Sequence, residues 1–185
     1  MDGPVHRAGA PESRPVATVP NAAWAPVAVG VLIGAAGLIG LVAGQPWLFP
    51  SLGPTAFLLA ESPGSPQSRF YDTTIGHLAG LAAGLAAVFL FGLQDSPGVL
   101  ASETVTLARI GAAVLAVALT MLAGSLLKAS HPPASATTLL MALGGFHASI
   151  RDAAAIVAGV LIVAALGEGL KWARRRIPPP PGNPG

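Results

Sequence analysis

The sequence predicts an all-α polytopic membrane protein: a helix bundle of two similar halves with four full spans and two short, proline-led helices. Of the 185 residues, 52% are hydrophobic and only 10% are charged, whereas an ordinary soluble domain is about 25% charged. The apolar residues are concentrated in four runs of about 20 residues, each long enough to cross a bilayer core as a helix. Ala, Leu, Val and Gly dominate these runs, which favours close helix packing in lipid.

The four spans are expected at residues 25–44, 75–93, 110–127 and 153–170. Residues 1–24 are predicted to be a disordered tail, residues 25–172 the membrane domain, and residues 173–185 a basic, proline-rich tail. Arg174, Arg175 and Arg176 follow the last span and indicate a cytoplasmic end by the positive-inside rule. We therefore expect an integral protein of a bacterial inner membrane, with both termini cytoplasmic.

Two short apolar segments, 48–61 and 134–144, are interrupted or led by prolines and do not reach the length of a span. Each follows a long run, so the halves 25–93 and 107–172 have the same order of elements. A shift of 82 residues superposes Thr55 on Thr137, and also Pro50 on Pro132, Leu58 on Leu140 and Ala60 on Ala142. If the short segments cross the membrane the halves are inverted; if they are re-entrant the halves are parallel.

The polar stretch 130–138 lies between two long apolar runs and begins the second short helix. A helix N-terminus offers N–H donors and a partial positive charge, and paired interrupted helices in two halves indicate a substrate site. Two such N-termini, one per half, would bind a small inorganic anion. The candidate binding residues are Ser51, Gly53, Pro54, Thr55, His77, His131, Pro132, Pro133, Ser135 and Thr137, and Arg69 and Lys128 are candidates for steering the anion towards them.

Other functional classes have weaker support in the sequence. A formal charge of +2 argues against a nucleic-acid partner. The chain has no cysteine and no His-x-x-x-His or Gly-x-Ser-x-Gly spacing, so we expect no metal, cofactor or catalytic residue. Besides the anion and the lipid bilayer, a second copy is an expected partner, because four spans enclose little space. The alternative function is that of a non-transporting membrane scaffold or sensor.

The motifs resemble those of the HPP family of integral membrane proteins. The resemblance covers roughly residues 47–170 and rests on His131-Pro132-Pro133 with Thr137, on the segment 52–56, and on Ser65-Pro66, Arg69 and Gly76-His77. It implies four membrane-spanning helices. Because family members in plastids and cyanobacteria are associated with nitrite transport, it also implies nitrite as the anion.

Overall fold

The computed structural model describes residues 21–176. The helices of this part of the chain are α1 (Asn21–Ala43), α2 (Leu52–Glu61), α3 (Phe70–Leu90), the single turn α4 (Val99–Ser102), α5 (Leu107–Leu126), α6 (Ala134–Ala142) and α7 (Ile150–Arg176). A 3₁₀ turn, Pro66–Ser68, precedes α3. Residues 1–20 and 177–185 of the predicted tails lie outside the described residues.

The predicted fold class is confirmed, because α1, α3, α5 and α7 are long and apolar enough to cross a membrane and α2 and α6 are the two short helices. Each long helix begins three to five residues before the expected span, and α3 ends at Leu90, before the expected end at residue 93. Helix α3 begins at Phe70, where Asp72 in its first turn complements the helix dipole. Helix α7 continues to Arg176, and its three terminal arginines complement the dipole at the other end. Part of each predicted tail is therefore helical.

Helix α2 runs parallel to α7. Along α7, Gly159 lies against Phe49, Gly167 lies against Leu59, and Lys171 Nζ donates to the carbonyl of Ser68. Helix α1 runs the opposite way, since its Trp24 ring meets the guanidinium of Arg174. The beginning of α1, the end of α2 and the end of α7 are therefore at the same end of the bundle. We call this the basic end, after Arg174, Arg175 and Arg176.

The helices from α3 onward alternate in the same way. Helix α3 starts at the basic end, and α5 finishes there, because the Tyr71 hydroxyl donates to the carbonyl of Leu127 over 2.9 Å. Helix α6 runs parallel to α3, since Gly76 lies against His131 and Gly84 against Met141. Leaving aside the single turn α4, each helix from α2 to α7 therefore runs in the opposite direction to the one before it.

This alternation makes the two halves inverted, which resolves the choice that the sequence left open. The first half runs away from, towards and away from the basic end, and the second half runs in the reverse order. The contacts of the two short helices correspond in the same way. Helix α2 contacts α1 of its own half and α7 of the other half, while α6 contacts α5 of its own half and α3 of the other. Inverted repeats with short helices at corresponding positions are a transporter architecture.

Glycines allow each short helix to approach a long one closely. On α3, Gly76, Gly80 and Gly84 repeat at every fourth position and face α6. A Cβ at Gly80 would lie 2.7 Å from Thr138 Oγ1 and 2.8 Å from the carbonyl oxygen of Ala134. Small residues at this spacing are typical of tightly packed membrane helices. They place the beginning of α6 directly against α3.

Candidate functional site

His77 is the point at which the two short helices meet. It lies in α3, beyond the first turn of the helix, and is only 1% exposed. Its Nε2 is hydrogen-bonded to Thr55 Oγ1 of α2 and its Nδ1 to Thr137 Oγ1 of α6, each over 2.7 Å. The sequence placed His77 in the first turn of a span, near the membrane interface; the earlier start of α3 buries it instead.

Thr55 and Thr137 are the pair that the 82-residue shift superposes, and the structure brings both to the same imidazole. A third hydroxyl joins them, because Thr137 Oγ1 donates to Ser51 Oγ over 2.8 Å. Thr55 Oγ1 also lies 3.3 Å from the carbonyl oxygen of Ser51, one turn earlier in its own chain. The inverted halves therefore meet through hydroxyl groups and one histidine ring.

His131 lies beside this group at the start of α6. Its Nδ1 donates to the carbonyl of Gln67 over 2.8 Å, and its Nε2 is 3.3 Å from Thr55 Oγ1. The ring centroids of His131 and His77 are 5.0 Å apart. Gly76 makes room for His131, because a Cβ there would lie 2.7 Å from that of the histidine. We call Ser51, Thr55, His77, His131 and Thr137 the central network.

The backbone N–H groups at the two helix starts are engaged in local turns. The N–H groups of Leu52 and Gly53 donate to carbonyls at positions 49 and 50, and those of residues 134–136 donate to carbonyls at positions 131–133. The expected picture of two helix ends with unsatisfied N–H donors is therefore wrong for this conformation. The polar groups that face one another between the halves are side chains.

The other candidate residues lie outside the central network. Pro54 and Pro132 are exposed, and Gly53 and Pro133 are half-buried. Ser135 is exposed, and its hydroxyl donates to the carbonyl of Pro132 over 2.8 Å. The prolines begin the short helices, as expected, but only Pro132 and Ser135 of this group reach the cavity described next.

A cavity of about 290 Å³ lies between α3, α5 and the start of α6. It lies towards the basic end, because its wall includes the last turn of α5 and the segment that follows. Most of its surface is apolar or formed by small residues, and His131 forms part of it. The lining residues are Gly76, Val117, Thr120, Met121, Gly124, Ser125, Ala129, Ser130, His131, Pro132, Ala134 and Ser135.

The end of α5 beside the cavity also has a Ser-x-x-Lys spacing, Ser125 to Lys128, so the expectation that the chain lacks this spacing is wrong. Some acyl enzymes use such a pair. Here the Ser125 hydroxyl donates to the carbonyl of Met121, one turn earlier in α5. Lys128 is exposed, and its backbone has the left-handed conformation just after the end of the helix. The pair therefore contributes to helix termination. Arg69 is also exposed, at the beginning of α3, so both candidate steering residues lie at the basic end.

Sequence reasoning missed the buried groups that terminate the short helices. Arg109 is 3% exposed and donates to the carbonyl of Ala142 at the end of α6, and also to those of Ser96 and Pro97. Ser68 Oγ donates to the carbonyls of Leu58 and Ser62 at the end of α2. The sequence placed Arg109 before the third span, but Thr106 caps α5 and brings the arginine inside the helix.

Charged groups surround the central network without entering it. Asp72 is 5% exposed, and its Oδ1 accepts the N–H of Ser130, next to His131. Lys171 is paired with Glu168 over 2.8 Å, as expected from their spacing in α7. Among residues 21–176, no three histidine, aspartate or glutamate side chains are grouped as a metal site would require.

Fold and site together define a class: an integral membrane protein built of inverted helical halves, with polar side chains buried where the short helices meet. The family model for the HPP transmembrane region matches residues 14–178, and the chain belongs to the HPP family. Membership is consistent with a transport-like or channel-like role in a membrane. No curated protein and no solved structure matches the chain.

Proposed function

We propose that the protein is a transporter or channel for a small inorganic anion, with nitrite as the ion indicated by the family resemblance. One observation carries the proposal. The short helices of two inverted halves begin against each other at a buried histidine pair, and a cavity extends from the basic end to one of these histidines. Membrane transporters bind their substrates at such a junction of interrupted helices.

The cavity wall beside α6 is the proposed anion site. Ser130, His131 and Ser135 line it where α6 begins, at the positive end of the helix dipole. The Ser135 hydroxyl and both ring nitrogens of His131 are hydrogen-bonded within the protein in this conformation, so an anion must exchange one of these bonds for its own. Such exchange, with neutral donors, favours weak binding and rapid release. A volume of about 290 Å³ accommodates a triatomic anion with several waters. Pro132 and Pro133 restrict the backbone at the helix start and so hold these donors in place.

Arg69 and Lys128 are proposed to attract the anion to the cavity, because both are exposed at the basic end. By the positive-inside rule that end is cytoplasmic, so the cavity would open to the cytoplasm of a bacterial cell. Long-range attraction of this kind is screened by salt. A homo-oligomer stays a prediction.

Reconstitution of the purified chain into proteoliposomes tests the proposal. We expect uptake of labelled nitrite above that of protein-free vesicles, with nitrate and chloride as comparison ions. His131→Ala is expected to lower uptake about tenfold, the equivalent of one hydrogen bond to a charged group. His147→Ala is the control, because His147 is 92% exposed and pairs with Asp152 outside the site.

Two results would contradict the proposal. Equal uptake by wild type and His131→Ala, with equal amounts of folded protein, would remove His131 from the site. A folded wild-type protein that moves none of the anions would favour the scaffold or sensor.

A further inference from the structure

The central network forms one continuous chain of donors and acceptors. It runs from the Gln67 carbonyl through His131, Thr55, His77 and Thr137 to Ser51, with adjacent atoms 2.7–3.3 Å apart. His131 lines the cavity at one end. Ser51 is 1% exposed at the other end. Every side chain between them both donates and accepts.

When the Thr55 hydroxyl directs its proton to a histidine, and not to the Ser51 carbonyl 3.3 Å away, the donor inventory allows two arrangements of protons in this chain. A carbonyl only accepts, so His131 Nδ1 always carries a proton, and each hydroxyl carries one proton that it can donate. In the first arrangement Ser51 donates to Thr137, Thr137 donates to His77 Nδ1, and His77 Nε2 donates to Thr55. Thr55 then donates to His131 Nε2, and both histidines are neutral.

The second arrangement reverses every bond between His131 and Ser51. His131 Nε2 donates to Thr55, Thr55 donates to His77 Nε2, His77 Nδ1 donates to Thr137, and Thr137 donates to Ser51. His131 now carries protons on both nitrogens, while His77 remains neutral with its proton moved from Nε2 to Nδ1. The two arrangements differ by one proton.

We propose that the central network is a proton path that couples proton movement to the anion. A proton taken up by Ser51 Oγ displaces one proton along each bond in turn and leaves His131 as an imidazolium. Each intervening group gains one proton and passes one on, so no other group changes its charge. The imidazolium would then face the anion in the cavity. The coupling rests on the proposed function, whereas the proton path itself does not.

The surroundings fit a path of this kind. Burial opposes a positive charge on His131, and the carboxylate of Asp72, which accepts the N–H of the preceding residue Ser130, partly offsets that cost. Lys171 is turned away, since it donates to the carbonyl of Ser68 and pairs with Glu168. Beyond Thr137 on α6, Met141 belongs to the apolar cluster that also contains Phe49 and Leu52 on either side of Ser51. The Ser51 end is therefore closed in this conformation and must open for a proton to reach it.

Nitrogen-15 NMR of the full chain, labelled at histidine and embedded in lipid bilayers, tests the path without any anion. As the pH falls and His131 gains its second proton, we expect the His77 proton to move from Nε2 to Nδ1 with the same midpoint. In Thr137→Val, His77 Nδ1 has no acceptor, so His77 is expected to keep its Nε2 proton. Thr138→Val is the matched control, because the two adjacent threonines are both fully buried and Thr138 is outside the path.

The inference is overturned if His77 keeps one tautomer while His131 titrates, or if His77 still switches in Thr137→Val. A pH-sensitive dye inside proteoliposomes then tests the coupling, with nitrite as the probe anion. Nitrite entry with no accompanying proton overturns the coupling while the proposed function stands. A tautomer switch without anion flux would reject the proposed function and leave the proton path supported.

Discussion

Gly80→Ala tests the close packing of α3 on α6, which positions His131. The added Cβ would lie 2.8 Å from the Ala134 carbonyl oxygen, which is backbone and cannot turn aside. The helices must separate by about 0.6 Å to restore ordinary contact. Overpacking of this kind costs about 1–3 kcal/mol, and alanine recovers about 0.5–1 kcal/mol over glycine in a helix. We expect the free energy of unfolding to fall by about 1–2 kcal/mol.

The assay is reversible unfolding in mixed micelles of lipid and denaturing detergent, with Gly34→Ala as the control. No atom lies within 4 Å of a Cβ at Gly34, on the exposed side of α1, so that variant keeps only the helix gain. We expect Gly34→Ala to match or exceed the wild type in stability. If Gly80→Ala proves as stable as Gly34→Ala, the close approach of α3 and α6 is wrong.

Two further predictions concern the end of α6 and the direction of the halves. Arg109→Met leaves the buried carbonyl of Ala142 and the part-buried carbonyls of Ser96 and Pro97 without their charged donor, so the free energy of unfolding should fall by about 2–3 kcal/mol. Arg151→Met, at an exposed position, should change it little. Equal losses in the two variants would count against the buried cap. The chain contains no cysteine, so single cysteines report topology directly. Ser62→Cys and His147→Cys should react with a membrane-impermeant thiol reagent from opposite sides. Labelling from the same side would support parallel halves.

The sequence was sufficient for the fold class because length and hydropathy define a membrane span locally. Charged residues at the helix ends made the expected spans too short there. Asp72 and the three terminal arginines are typical of loops in a membrane protein, yet they lie within helices because they complement the helix dipole. Hydropathy does not give the direction of a helix. The choice between inverted and parallel halves could therefore be made only from the long-range contacts of the short helices.

The candidate site was partly predictable for a similar reason. The repeat identified Thr55 and Thr137 as counterparts, and both contact His77. The spacing of Gly76, Gly80 and Gly84 was a visible but unused signal for a close helix pair. The partners of Arg109 could not have been found, because its acceptors are backbone carbonyls between 12 and 33 residues away. Every residue has a backbone carbonyl, so no residue type in the sequence marks the ones that accept.

The most direct test of the central claim, that the cavity beside His131 is part of an anion path, uses Ser135→Cys. Ser135 is exposed on the cavity wall, whereas Ser62→Cys lies at the same end outside it. A small, negatively charged thiol reagent applied from the basic end should label both variants. The account predicts that labelling stops nitrite flux in Ser135→Cys alone and that nitrite slows that labelling. Full labelling of Ser135→Cys with unchanged flux would contradict it.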